Sequence, residues 1–161
     1  MGGWSERWDA VRSGQSCPVC DEGRPDEADG RLRIFAGETI DAYLDRNDGV
    51  RGYALVFFRG RHAAEPTELT DEEARRFWRE LLVVARAVEA EYLPVKLNLM
   101  FLGNAMPHLH AHVIPRFRDD PDAGRPPRFM MGSSDWRRLD DAEYLRQVDA
   151  LRRRLGEVSR S

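Results

Sequence analysis

Pro107-His108-Leu109-His110-Ala111-His112-Val113-Ile114-Pro115-Arg116-Phe117 is the stretch that decides how the rest of the chain is read. From His108 to Val113 polar and apolar residues alternate strictly, the period of a half-buried strand. Side chains two apart on a strand share a face. His108, His110 and His112 therefore line one side, and Leu109, Ala111 and Val113 point away from them into a core. These are three of the four histidines in the chain, so chance is a poor account of their register. A strand that commits its exposed face to groups titrating near neutral pH is equipped for proton chemistry or for metal.

Working outward, Lys96 to Leu102 reads as another strand, and Gly103-Asn104-Ala105-Met106-Pro107 is a short connection, so these two strands are expected to be antiparallel neighbours. Before them, Thr70-Asp71-Glu72-Glu73 is a capping box. It opens a long helix whose Ala74, Phe77, Trp78, Leu81, Leu82, Ala85 and Val88 form one apolar face and which stops before Pro94. Tyr53 to Phe58 is a nearly continuous run of strand formers, expected as a buried central strand. Arg31 to Phe35 and Thr39 to Leu44 read as a hairpin around Gly37-Glu38, closed by the turn residues Asp45 to Gly49. At the N-terminus, Trp4 to Arg12 has the spacing of a short helix with Trp4, Trp8 and Val11 on one side. Beyond the histidines, Arg116 to Arg128 is a loop rich in Asp, Pro and Arg. A terminal helix from Asp140 carries the stripe Tyr144, Leu145, Val148, Leu151 and Leu155. The whole is an α+β fold: an antiparallel sheet of about five strands with a long packed helix and a C-terminal helix.

Composition excludes several classes. The chain has 161 residues, 42% hydrophobic and 33% charged, with a net charge of -3. That fits one globular domain, 1–161, with its core at about 17–118 and a C-terminal loop and helix at 119–161. Nothing in the charge favours nucleic acid or a membrane surface, no apolar run is long enough to span a bilayer, and the N-terminus lacks the apolar core of a signal peptide. A cytoplasmic protein is the expectation. The only two cysteines form Cys17-Pro18-Val19-Cys20. This C-x-x-C suits a zinc knuckle, a redox pair or two incidental thiols. The redox reading wants a following helix, and Asp21 to Pro25 opens a turn. His62 alone, after a strand, is more often a satisfied residue than a ligand.

Two chemical uses of the histidine face compete: a metal cradle, or nucleophilic catalysis in which one imidazole attacks while another orients it and moves protons. Gly103 and Asn104 offer exposed amides suited to phosphate oxygens, and Arg116 and Arg118 could add local positive charge.

The run His108-Leu109-His110-Ala111-His112-Val113-Ile114 resembles the signature of the histidine-triad (HIT) superfamily. The order of a YALVFF strand, a histidine, a long helix, a KLNL strand and a Gly-Asn loop agrees with it, so the resemblance covers roughly Cys17 to Arg118. It implies a histidine-triad fold, often doubled across a homodimer, and a nucleotide hydrolase or nucleotidyl transferase. His110 would attack the α-phosphate to form a nucleotidyl-histidine; His112, with His108 beside it, would contact the phosphate and protonate the leaving group. The substrate would be a dinucleoside polyphosphate or a nucleoside phosphoramidate, with adenine as the expected base, and water the acceptor. A phosphorylase or transferase with another acceptor, or a binding protein without turnover, is the alternative. The resemblance also implies one structural zinc per chain on Cys17, Cys20, His62 and His108, as in a zinc-containing bacterial branch related to dinucleoside polyphosphate hydrolases, and no organic cofactor. Asp45 resembles the acid that binds ribose hydroxyls, with Asn98, Gly103 and Asn104 as further substrate contacts. Ala105 stands where many members carry a Ser or Thr hydroxyl.

Overall fold

The computed structural model describes residues 4–46, 50–127 and 138–158. Two short helices, α1 (Glu6–Arg12) and α2 (Pro18–Asp21), precede strands β1 (Glu27–Ala28), β2 (Arg31–Ala36), β3 (Ile40–Leu44) and β4 (Ala54–Phe58). A 3-10 turn at Pro66–Glu68 leads into α3 (Asp71–Tyr92), followed by β5 (Lys96–Met100), β6 (His110–Arg116) and α4 (Asp141–Val158). The sheet has six strands in the order β1-β2-β3-β4-β6-β5, every pair antiparallel. The expected five are β2 to β6. The sixth, β1, is two residues long, too short for any periodicity to register.

One face of the sheet packs under helices. Ile40, Ala42, Leu44, Ala54, Val56, Phe58, Leu109, Ala111 and Val113 meet Phe77, Leu81, Val84 and Val88 of α3 and Val148, Leu151 and Leu155 of α4 in one core. The alternation read from the histidine stretch holds: its apolar residues enter this core. The other face carries a smaller cluster of Tyr53, Leu55 and Ile114, with Val50, Phe57 and Met100 against it. That second layer changes the environment of the histidines. They were expected on a solvated face, yet His108, His110 and His112 are all buried.

Local chemistry accounts for the elements. Thr70 and Glu73 form the full capping box of α3. Leu93 ends that helix in the left-handed region at φ 48, just before Pro94. Asp140 caps α4, its carboxylate accepting from the Glu143 N–H. The apolar stripes are narrower than the sequence suggested: Trp78, Leu82 and Leu145 are exposed. Each lies at the margin of its helical face, and a single layer of sheet reaches only the centre of that face. The link between β3 and β4 needs Gly52 (φ +77), where a Cβ would meet the Tyr92 ring at 2.6 Å.

Candidate active site and metal cluster

Strand β6 hydrogen-bonds β4 on one side and β5 on the other, so every side chain on it has a neighbour across the sheet. The register sets His110 opposite Phe57 and His112 opposite Leu55 and Met100. The His110 and His112 rings lie 4.9 Å apart, edge to face. His108 precedes the regular strand, fixed where Phe58 N–H donates to Leu109 O and Leu109 N–H donates to Ala63 O.

Hydrogen bonds identify the tautomers, because a carbonyl can only accept. His110 Nδ1 lies 2.7 Å from His108 O, so Nδ1 carries the proton and Nε2 keeps its lone pair. Burial holds the His110 imidazole below its ordinary value, neutral at pH 7. His112 is pushed down to about 4, first by burial and then by His110 and Arg31. Its Nδ1 is 2.6 Å from the Tyr53 hydroxyl, and the two rings stack with centroids 5.9 Å apart. Burial, with Asp45 nearby, pushes the Tyr53 phenol well above its usual range, so it keeps its proton. His112 Nε2 is buried and has no hydrogen-bond partner among the described residues. A buried polar nitrogen without a protein partner is uncommon and is a feature of catalytic positions.

Beside this pair, Cys17, Cys20, His62 and His108 converge, with their ligand atoms all within 4.8 Å of one another. Cys17 Sγ is 3.4 Å from His108 Nδ1, and Cys20 Sγ is 3.6 Å from both His62 Nδ1 and His108 Nδ1. A tetrahedral ion at ordinary Zn–S and Zn–N bond lengths would require S···N edges of about 3.5 Å. The second nitrogens agree: His108 Nε2 donates to Phe58 O at 2.8 Å and His62 Nε2 to Arg12 O at 3.2 Å. Both Nδ1 lone pairs are thereby free to face the cluster, the orientation that second-sphere carbonyls impose on metal-binding histidines. With no cation, burial and the neighbouring Cys17 push the Cys20 thiol up to about 11, while burial pushes His108 down to about 4. Two sulfurs and two Nδ1 lone pairs brought this close are a donor set that a dication would stabilise, displacing the Cys20 proton as it binds. The residues present fit a metal ion, and the solitary His62 of the sequence joins the other three.

The remaining substrate candidates are distributed around the sheet. Asp45 closes β3 beside Tyr53, donating its N–H to Tyr53 O, and its carboxylate accepts from Arg31 Nε at 2.7 Å. Asn98 projects from the histidine face of β5, two positions from the partner of His112. Its oxygen lies 3.3 Å from an Arg116 N–H. Arg116 was expected to lend positive charge to the site. It is instead buried and neutralised by Asp120 and Asp122, both at 2.7 Å. Gly103 turns the β5–β6 connection at φ +68, and Asn104 faces a cleft against α1.

Sequence reasoning missed Tyr53, which reads there only as a strand former, and Asp41. The latter is fully buried in β3 and is gripped by Arg24 at 2.7 Å and Arg59 at 2.9 Å, with Arg33 at 3.6 Å. Arg59 also donates to Val19 O inside the C-x-x-C turn, tying the cysteines to the sheet. A carboxylate in the middle of an otherwise apolar strand was the available signal.

An α+β sheet with alternating histidines on one central strand, anchored beside a Cys/His cluster, defines a histidine-triad protein. A HIT domain model matches residues 31–119, and the chain belongs to the HIT family. It is 30% identical over 90 residues to Protein hit of Bacillus subtilis (strain 168), a match spanning 53% of this chain and 61% of that protein, less than two thirds of its length. A histidine triad protein from Bradyrhizobium japonicum superposes with a TM-score of 0.70 at 26% identity, over 78% of this chain and 90% of that one. A Zn-bound histidine triad family protein from Mycobacterium smegmatis shares the fold over 98% of each chain, at 24% identity and a TM-score of 0.57. Among the described residues, no helix is long and apolar enough to cross a membrane.

Proposed function

We propose that the protein cleaves a nucleotidyl bond at the α-phosphate of a dinucleoside polyphosphate or nucleoside phosphoramidate, through a covalent nucleotidyl-His110. The observation carrying this reading is the pairing of two differently prepared imidazoles. His110 has its Nε2 lone pair fixed by the bond from Nδ1 to His108 O, and His112 offers a buried, unpartnered Nε2. His110 Nε2 attacks the α-phosphorus; an N–P bond forms and the bond to the leaving group breaks, its electron pair going with the leaving oxygen or nitrogen. His112 is neutral without substrate, and polyphosphate charge against its Nε2 raises its proton affinity. It then holds a proton at Nε2 to give to the leaving atom. Tyr53 serves both protonation states, since a hydroxyl can donate to Nδ1 or accept from it. Water then attacks the phosphorus and passes a proton to His112, and the N–P bond breaks to release the nucleoside monophosphate and restore His110. Division into two displacements spares water a direct attack on the anionic substrate.

Gly103 and Asn104 would bind phosphate oxygens, Asp45 the ribose hydroxyls, and Asn98 would orient substrate through its amide N–H groups. Cys17, Cys20, His62 and His108 would hold zinc. Such a closed four-ligand site supplies structural rigidity and leaves no open coordination position; His108, through its carbonyl, passes that rigidity to His110. An adenine base, a cytoplasmic homodimer and a single domain over 1–161 belong to the same reading and are supported by family resemblance.

The test is intact-mass spectrometry under non-acidic conditions. The protein and His110→Ala are each mixed with an adenosine phosphoramidate and with a dinucleoside polyphosphate. The expected result is an adduct of one nucleotide mass on the parent alone, with AMP released. Absence of both adduct and product would overturn the hydrolase reading and favour a nucleotide-binding protein without turnover.

A further inference from the structure

One cleft, with no histidine among its lining residues, borders the C-x-x-C turn at Pro18. It lies between α1 and the connection that leads into the triad, is an open cleft of about 760 Å³, and is lined by Trp4, Arg7, Trp8, Pro18, Asn104 and Met106 among others. The volume is in the range of small-molecule sites. The Trp4 and Trp8 rings are 4.5 Å apart and tilted by 42°, and Trp4 is 64% exposed. The Trp8 Nε1–H is buried and, among the described residues, has no acceptor. Arg7 adds an exposed cation.

The wall carrying these groups is firmly placed. Val11 is buried, Arg12 pairs with Glu68 at 2.5 Å, and Arg12 O accepts from His62 Nε2. The opposite wall, Asn104 to Met106, directly precedes Pro107 and the triad. Asn104, assigned to phosphate oxygens in the reading proposed above, is thus also part of a wall of this cleft.

We propose that this cleft is the leaving-group subsite of the reaction proposed above, and that it takes the second nucleobase of a dinucleoside polyphosphate. The inference rests on that reading. An in-line displacement sends the leaving group out opposite His110 Nε2, and the connection that would hold the phosphate oxygens forms one side of the cleft. Tryptophan faces bind heterocycles by stacking, whichever base is present. Arg7 would meet the bridging phosphates, and the Trp8 N–H would find its acceptor on the base or ribose. A phosphoramidate with a small amine leaving group would leave the cleft unused, so the site selects dinucleotides over such conjugates.

Two measurements on the full-length, zinc-loaded protein test this. In steady-state kinetics, kcat/KM is compared for diadenosine tetraphosphate and for an adenosine phosphoramidate with a small amine, in the parent, Trp4→Ala and Trp8→Phe. The expected result is that the ratio of the two constants falls about tenfold in Trp4→Ala; an unchanged ratio overturns the proposal. Separately, a methylene-bridged, uncleavable dinucleoside tetraphosphate is titrated against the intrinsic fluorescence of His110→Ala, with AMP in parallel. Quenching by the dinucleotide but not by AMP, lost when Trp4 and Trp8 are both replaced by Phe, supports the subsite even if no substrate is turned over. That combination would sink the hydrolase reading and leave the cleft standing. Quenching that survives the double replacement, or a change of sedimentation coefficient in Trp4→Ala with an unchanged ratio, would overturn the subsite; the latter would identify the tryptophans as an interface between copies of the chain.

Discussion

Tyr53 is the residue whose role only the folded chain reveals. It stands 59 positions from His112, yet its hydroxyl is 2.6 Å from the imidazole. If Tyr53 keeps His112 ready in both protonation states, its loss should matter most where the leaving atom most needs a proton. Tyr53→Phe is expected to lower kcat about tenfold on a phosphoramidate, with a smaller loss on a dinucleoside polyphosphate and little change in KM. Equal losses on both substrates would reduce Tyr53 to packing. His110 and His112 were legible from alternation alone, because a period of two forces them onto one face. Tyr53 was not, because tyrosine is an ordinary strand former and nothing local distinguishes a partnered hydroxyl from a free one.

At the scale of elements, the signals read best were those held in a few adjacent residues. The box at Thr70 to Glu73 located the start of α3. Thr70→Ala should cost about 1 kcal/mol, read as a lower urea midpoint with an unchanged slope. Strand β3 holds a larger dependence. Asp41 is the common partner of Arg24, Arg33 and Arg59, so Asp41→Asn leaves guanidinium charge without its buried counter-ion. A loss of about 3 kcal/mol is expected in the same denaturation series, and a change under 1 kcal/mol would show that water compensates the arginines. Trp78, Leu82 and Leu145 illustrate the opposite case. Helical periodicity gives a face, but how much of that face is covered depends on what lies across from it.

For the molecule as a whole, the Cys/His cluster joins the α2 turn, the loop after β4 and the segment leading into β6, which are far apart in sequence. If the cluster holds zinc as proposed, a chelator should lower Tm by about 10 °C or more, and Cys17→Ala should start low and no longer respond. An unchanged Tm after complete metal removal would contradict a structural role. Acid should act in part through His112, whose shift His108 and His110 share in direction. The folded value of about 4 for His112 lies below the ordinary 6.5, so the unfolded chain binds the proton more tightly. Stability is then complete above about pH 6.5 and declines as pH falls toward 4, by about 3 kcal/mol at most. His112→Gln should flatten that decline; an equally steep acid limb in the variant would assign it elsewhere. The sequence by itself determined five of the six strands, the long helix and the common face of the histidines, because period and caps are local properties of a chain; that His62 joins Cys17, Cys20 and His108 was implied only by the family resemblance. Only the tertiary structure decided that the histidine face is buried, that Arg116 is neutralised, that Tyr53 meets His112, and that two tryptophans line a cleft beside the triad connection. Those depend on which distant segments pack against one another, and burial and pairing are properties of that packing.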